Sequence, residues 1–225
     1  MLLQFAFAKF ELMMKFLVSF VLALLAIGLG AETSTANTAT NAWQIGPVID
    51  GRSYSKNMPL YLYEGRDGPW FDFPGPRKSD GHVHYVTIAS GPLNRAKRIT
   101  MRYRIDSQPD VKFRPQETPG EEATMSLYFQ RHGDRWTRDY PHYRWYSPTA
   151  RVVKLRPGVH EISIGLAEPW VAMLGGNSHT LPGPFAKTLT DTARIGFTFG
   201  GSTGRGHGVY ATRPARFTLL EFEVQ

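Results

Sequence analysis

Hydrophobic and polar residues alternate with a period of two through most of the chain after Trp43. Within Ile99–Ile105, for example, Arg102 and Arg104 alternate with apolar residues, as in a β-strand with one face in water. Nine segments of this kind, rich in β-branched and aromatic residues and bounded by turn residues, are predicted to be strands. They are Val83–Ala89, Ile99–Ile105, Met125–Gln130, Tyr143–Tyr146, Val152–Leu155, Val159–Leu166, Ile195–Phe199, Val209–Ala211 and Phe217–Val224.

Helical periodicity is confined to a short segment near Phe185–Asp191. About nine or ten short strands with so little helix predict an all-β fold, specifically a two-sheet antiparallel β-sandwich of the jelly-roll type. The sequence contains no internal repeat and no sign of a second domain, so residues 43–225 are predicted to form one domain. A domain of this size buries roughly 70% of its surface on folding and can be stable without covalent cross-links.

The N-terminus has the features of an export signal. Lys15 directly precedes the apolar run Phe16–Leu29, and small residues lead from that run to Ala31. The run is shorter than the ~20 residues that span a bilayer. Residues 1–31 are therefore predicted to be a secretory signal peptide, and the protein to be extracytoplasmic, periplasmic or secreted, with no stable membrane anchor after signal removal.

Two smaller features flank this signal. Met13-Met14-Lys15 has the form of a natural start, so residues 1–12 are a candidate extension that precedes it. Residues 32–42 are rich in Thr, Asn and Ala and lack apolar periodicity. That composition predicts a disordered linker between the signal and the domain.

Composition narrows the possible chemistry. The 225-residue chain has no Cys, which excludes disulfides, thiolate nucleophiles and Cys-ligated zinc. Its 26 Lys and Arg against 19 Asp and Glu give a net charge of +7 at pH 7. Outside the cytoplasm this charge favours encounters with polyanions such as uronate-rich polysaccharides, although solubility alone would also account for it.

The C-terminal third carries a fold-level resemblance. Its segments Phe185–Leu189, Arg194–Gly201 and Phe217–Val224 follow Pro157–Ile162 and Trp170 in a characteristic order. In hydrophobic pattern they resemble the closing strands of galactose-binding-like jelly rolls, a superfamily that includes many carbohydrate-binding modules. The resemblance implies a carbohydrate-binding-module-type β-jelly roll, and no site residue is carried over from the superfamily.

Arginine and aromatic residues are interleaved most densely in the segment 131–146. Flat aromatic faces suit sugar rings, and guanidinium forks suit carboxylates and phosphates, so the segment suits an acidic glycan. Stacking plus phosphate contacts would also suit single-stranded nucleic acid, which we consider the less favoured partner. Alternatively, half of these side chains point into the core. The candidate ligand-binding residues are Arg135, Trp136, Tyr143, Arg144 and Trp145, with Trp70 on a second aromatic segment as a further platform.

Two catalytic or metal-binding readings are also open. A polysaccharide lyase needs a Tyr or His base and a group that neutralises the uronate, for which Tyr140, His142 and Arg144 are candidates. His82 and His84 would share one face of a strand and could ligate a metal if a third ligand came from elsewhere. The Glu that a cupin would place a few residues later is missing.

The glycine-rich segment Gly200–Gly208 lacks the Lys-Ser/Thr ending of a phosphate loop and opens no predicted helix, so no nucleotide cofactor is expected. We interpret it as a long hairpin between strands, with Arg205 and His207 able to contact a ligand at its tip. Three functions are therefore carried forward. They are a non-catalytic domain that binds acidic polysaccharide, a lyase acting on uronate-containing glycans, and a structural envelope protein without a small ligand; none requires a cofactor.

Overall fold

The computed structural model describes residues 42–202 and 204–225. Within these ranges the chain forms fifteen mostly short strands, one α-helix and one turn of 3-10 helix at Thr149–Arg151. The helix is α1 (Pro182–Thr190). The strands are β1 (Gln44–Gly46), β2 (Val48–Ile49), β3 (Arg52–Ser53), β4 (Trp70–Asp72), β5 (Tyr85–Ala89), β6 (Arg98–Ser107), β7 (Phe113–Pro115), β8 (Thr124–Arg131), β9 (Arg144–Tyr146), β10 (Val153–Lys154), β11 (Gly158–Gly165), β12 (Val171–Ala172), β13 (Thr192–Gly200), β14 (Val209–Ala211) and β15 (Ala215–Val224).

Two antiparallel sheets form the sandwich. The larger has seven strands in the order β1-β5-β13-β8-β9-β12, with β10 pairing beside β9 along β8. The smaller has four strands in the order β11-β6-β15-β4. Two further pairs, β14 with β7 and β2 with β3, lie outside these sheets. The all-β, two-sheet sandwich predicted from the sequence is confirmed.

Aromatic side chains join the two sheets. Phe197 and Phe199 of β13 meet Phe71 of β4 and Phe217 of β15, and all four side chains are fully buried. The ring centroids of Phe197 and Phe217 are 5.1 Å apart, and those of Phe71 and Phe199 are 5.9 Å apart. Each aromatic side chain buries a large apolar area, so these interdigitated rings contribute strongly to the cohesion of the two sheets.

Helix α1 covers one end of the seven-stranded sheet. It begins with Pro182, whose missing N–H is not needed in the first turn of a helix. The Phe185 ring lies 4.9 Å from Trp145, and Thr188 Oγ1 accepts a hydrogen bond from Trp145 Nε1 at 3.1 Å. The indole of Trp145 is thereby fixed inside the core, with its polar atom satisfied.

An extra residue interrupts the pairing of β13 with β8. Thr192 pairs with Arg131 and Arg194 with the next residue, Gln130, so Ala193 is the unpaired residue of a β-bulge. Bulges of this kind turn side chains locally and often lie beside binding sites.

The alternation of apolar and polar residues located the long strands well. All nine predicted strands are present, with ends that differ by a few residues, and the helix lies where it was expected. The predicted number of nine or ten strands is too low, because six strands of two or three residues carry too little pattern to be recognised. The expected hairpin over Gly200–Gly208 is also wrong, since β14 pairs with β7 and not with β13.

The predicted signal peptide, the candidate extension at residues 1–12 and nearly all of the linker lie outside the described residues. Among residues 42–202 and 204–225, no helix combines the length and apolar character needed to cross a membrane.

We predict that Gly196→Ala destabilises the domain by about 2–3 kcal/mol, because a Cβ atom there would lie 2.1 Å from the backbone oxygen of Val86 on β5. The free energy of unfolding in urea checks this. Gly91→Ala is the matched control, since nothing lies within 4 Å of its Cβ position. Equal stability of the two variants would contradict the packing of β13 against β5.

Candidate functional site: a basic and aromatic cleft on the seven-stranded sheet

The outer face of the seven-stranded sheet carries a cluster of tyrosines. Because side chains alternate along a strand, Phe129 of β8 enters the core while its neighbour Tyr128 faces the other way. Tyr85 of β5 and Tyr146 of β9 face the same side, and their hydroxyl oxygens lie 2.9 Å apart. Burial raises the pKa of all three hydroxyls, so they are neutral hydrogen-bonding groups at physiological pH.

Trp136 covers part of this cluster. Its ring is edge-on to Tyr85, with the centroids 5.1 Å apart. The backbone at Trp136 has a φ of 62°, a left-handed conformation that non-glycine residues adopt at a cost. The Asp134 carboxylate accepts a hydrogen bond from the Trp136 backbone N–H at 2.9 Å, which stabilises this turn.

A buried ion pair lies beneath the indole. Arg144 Nε is 2.8 Å from Asp134 Oδ2, and both side chains are almost inaccessible to solvent. The Arg144 guanidinium also donates to the Thr137 carbonyl at 2.9 Å and lies 5.1 Å from the Trp136 ring centroid. Burial raises the pKa of Asp134, although Arg144 and the Trp136 N–H act in the opposite direction.

Beside Trp136 opens a cleft of about 780 Å³, a volume in the range of ligand sites. Its floor includes Tyr85 and Tyr146, and Trp136 forms one side. Other walls come from the segments around Arg52, His82–His84, Glu117 and Arg205–His207. The cleft is therefore built from parts of the chain that are distant in sequence.

Arg205 contributes a buried guanidinium nitrogen to this cleft. Its Nη2 donates to Thr149 Oγ1 at 3.1 Å, whereas its buried Nη1 has no hydrogen-bond partner among the described residues. Burial lowers the pKa of this guanidinium, but an arginine so shifted remains charged at neutral pH. A buried donor without a partner is costly, and an anionic ligand would satisfy it.

The loop that carries Arg205 is pressed against the tyrosines. Gly206 has a φ of 77°, and a Cβ atom there would lie 2.0 Å from the Tyr85 hydroxyl oxygen. Only glycine allows this approach. The next residue, His207, has its Nδ1 2.8 Å from Glu117 Oε1. Glu117, the acidic residue in the described lining of this cleft, is therefore beside an imidazole.

His82 and His84 both line the cleft, with their ring centroids 4.6 Å apart. His84 Nδ1 donates to the Gly206 carbonyl at 2.7 Å, since that oxygen can only accept. Burial lowers the pKa of His84 to about 4, so the ring is neutral at pH 7. Nowhere in the described residues do three His, Cys, Asp or Glu side chains gather as metal ligands, and no third ligand for this pair is assigned.

Two tryptophans expected to form ligand platforms lie elsewhere. Trp145 is fully buried in the sandwich core, so its predicted contact with a ligand is corrected to a packing role. Trp70 is on the outer face of the four-stranded sheet, because its neighbour Phe71 points into the core. There the Trp70 ring is held between Tyr63 and Arg216, with the guanidinium carbon 3.5 Å from the ring centroid.

The remaining predicted residues do not line the cleft. Tyr140 and Tyr143 pack edge-to-face at 4.9 Å, and the Arg131 guanidinium covers Tyr143 at 4.7 Å. The carbonyl of His142 accepts hydrogen bonds from Trp145 and Thr188. Arg135 is exposed and does not line the cleft. Of the six predicted ligand-binding residues, the structure brings Trp136 and Arg144 into the cleft, and neither Tyr140 nor His142 joins Arg144 there.

Comparison with known proteins gives distant structural similarities. No protein-family model matches the chain, and no curated protein sequence matches it. The chain is similar to Xylanase10C from Cellvibrio japonicus in complex with xylopentaose, at 14% identity and a TM-score of 0.39, over 80% of this chain and 27% of that one. It is also similar to the xylan-binding module CBM15, at 13% identity and a TM-score of 0.38, over 80% and 92% of the two chains.

A third similar structure is the CBM2 module of an evolved Dit protein from Lactobacillus casei BL23 phage J-1, at 11% identity and a TM-score of 0.31, over 80% of this chain and 89% of that one. All three are remote similarities of fold.

Sequence reasoning missed Tyr85, Tyr146, Arg52 and Lys56, which all line the cleft. The two tyrosines could have been found from the sequence. Each lies in a predicted strand next to residues that point into the core, so its own side chain is expected on the outer face. Arg52 and Lys56 precede the first strand that the pattern predicted. Their position beside the cleft depends on contacts distant in sequence, and no local pattern would have found them.

We predict that lowering the pH from about 6.5 toward 4 destabilises the protein partly through His84. Its pKa in the folded state lies below the unfolded value, so the unfolded chain binds the proton first and stability falls with pH in this window. The effect approaches about 1.4 kcal/mol per pH unit. Urea unfolding at pH 7 and pH 5 measures it in wild type and in His84→Asn, whose amide can still donate to the Gly206 carbonyl.

The Asn variant should lose less stability between the two pH values than wild type. His82, whose pKa burial also lowers, retains a smaller effect of the same sign in both proteins. An identical loss in wild type and variant would show that His84 is not held neutral by burial.

Proposed function

We propose that the cleft binds polysaccharide and that its preferred ligands are acidic, uronate-containing chains. Arg205 carries this proposal. Its guanidinium is largely buried in the cleft wall, and its Nη1 has no partner in the described part of the chain. A planar guanidinium matches a carboxylate in bidentate geometry, and such charge-assisted pairs are stronger than neutral hydrogen bonds.

The aromatic groups of the cleft fit the rest of such a ligand. Trp136 is partly exposed and stands beside the tyrosine hydroxyls. Small-molecule sites combine apolar and aromatic walls with a few fixed polar groups that set orientation. A pyranose ring has an apolar face that suits an indole and equatorial hydroxyls that suit neutral phenols.

Charge along the cleft favours an anion. Arg52, Lys56 and Arg205 form no ion pair within residues 42–202 and 204–225, and Glu117 is the acidic residue of the lining. Arg144 is already neutralised by Asp134. Three cations against one carboxylate produce a positive field that attracts polyanions and weakens with added salt.

The proposal includes an extracytoplasmic place of action. The apolar run after Lys15 motivates it, since a secretory signal would deliver the domain to the compartment where uronate-rich polysaccharides occur. Fractionation of cells expressing the full-length chain tests this part separately from ligand binding.

We predict that Arg205→Gln weakens binding to polygalacturonate or alginate about tenfold or more, because one charge-assisted hydrogen bond contributes ~1.5–3 kcal/mol. Trp136→Ala should weaken it by a similar factor through lost stacking area. Calorimetric titration at low and moderate salt measures both, and binding by wild type should weaken as salt rises.

Trp70→Ala is the matched control, because that indole lies on the opposite sheet between Tyr63 and Arg216. It should bind as wild type does. Unchanged affinity in Arg205→Gln and Trp136→Ala would show that the cleft is not the site. Equal binding of neutral xylan would overturn the acidic preference. Absence of binding to every glycan would favour a structural envelope protein.

A further inference from the structure

Trp136 separates the cleft from a second depression on the same sheet face. The second cleft has a volume of about 440 Å³. Pro47, Tyr85 and Trp136 line both clefts, so the two are neighbours that share one wall. Beyond this wall the second cleft is lined by residues of β1, β8 and the bulge of β13, including Gln130, Ala193 and Arg194.

Gln130 gives the second cleft an unused acceptor. Only 5% of this residue is exposed, and its Nε2 donates to Asp134 Oδ2 at 3.0 Å. A carboxylate can only accept, so this hydrogen bond fixes which end of the amide is the NH₂ group. The other end of the amide is therefore the carbonyl oxygen Oε1. This buried oxygen has no hydrogen-bond partner among the described residues.

A buried acceptor without a donor is destabilising, and native structures seldom leave one without a reason. Gln130 is also held in place by the same Asp134 that supports Trp136 and pairs with Arg144. The amide is thus pre-oriented by the group that builds the wall between the clefts. A hydroxyl donated by a ligand in the second cleft would satisfy Oε1.

The charge of the second cleft differs from that of the first. Arg194 donates to Thr87 Oγ1 and to the Thr87 carbonyl, at 2.9 and 3.2 Å, and forms no ion pair within the described residues. Arg131 is neutralised by Asp191 at 2.7 Å. One available cation and one available acceptor suit a hydroxyl-rich sugar residue better than a second tightly bound carboxylate.

We infer that the second cleft is a further subsite for the same polysaccharide chain, where Gln130 Oε1 accepts a sugar hydroxyl on the far side of Trp136 from Arg205. This inference rests on the proposed function. One ligand chain then passes over the edge of the indole, with the carboxylate of one sugar residue at Arg205 and a hydroxyl of a later residue at Gln130. A ligand too short to pass Trp136 gains nothing from the second cleft.

The test measures affinity for oligogalacturonates from dimer to hexamer. For wild type we expect the Kd to fall at least about tenfold as the chain becomes long enough to pass Trp136. Gln130→Met removes the acceptor and also the hydrogen bond that the amide donates to Asp134. Ala193→Phe is therefore a second variant, which fills the cleft from a partly exposed bulge residue. Both variants should lose this gain for long oligomers while the shortest oligomers bind as in wild type.

Ala186→Phe is the matched control for added bulk, because Ala186 is exposed on α1 and lines neither cleft. It should keep the full gain with length. A variant that fails to fold is recognised by circular dichroism, and the other variant then decides the result.

Each outcome has a distinct meaning. Loss of the length-dependent gain in either folded variant supports the second subsite. A gain that survives in every folded variant, or no gain in wild type despite Arg205-dependent binding, overturns the second subsite and leaves the proposed function standing. If no oligomer binds wild type at all, the proposed function and this inference fall together.

Discussion

The candidate site depends on one buried ion pair, between Arg144 at the start of β9 and Asp134 in the preceding loop. Two opposite charges with almost no contact to water are stable only while both are present, and removing one partner of such a pair costs roughly 3–5 kcal/mol. The pair connects the sheet to a loop that has no regular secondary structure. The orientation of the loop is therefore determined by electrostatics in a region of low dielectric more than by backbone pairing.

Asp134 also fixes the positions of two neighbouring groups. One carboxylate accepts from the Trp136 backbone and from the Gln130 amide while it neutralises Arg144. The left-handed conformation of Trp136 costs free energy, and these contacts offset it locally. The wall between the two clefts is thus held by a network of hydrogen bonds and charge, and the geometry of both clefts depends on the buried carboxylate of Asp134.

Long strands can be predicted from this sequence and very short ones cannot. Strands such as β6 and β15 extend over ten residues, and their alternation identifies them directly. Strands such as β2 and β12 have two residues each, so contacts distant in sequence decide them. The same limit explains why the sequence did not show that Trp136 and Trp145 have different roles. Both lie in one Arg-rich aromatic segment, but Trp145 is in β9 and Trp136 is in the loop before it, so the pleat that buries Trp145 does not extend to Trp136.

The close approach of Gly206 to the Tyr85 hydroxyl also limits how such a cleft can diverge in evolution. No side chain can be inserted at position 206 while Tyr85 is retained, because even a methyl group would overlap the phenol oxygen. Positions 205 and 207 carry no such restriction. Selection for a different ligand charge can therefore act through these two neighbours, whereas position 206 should change only together with the tyrosine beneath it.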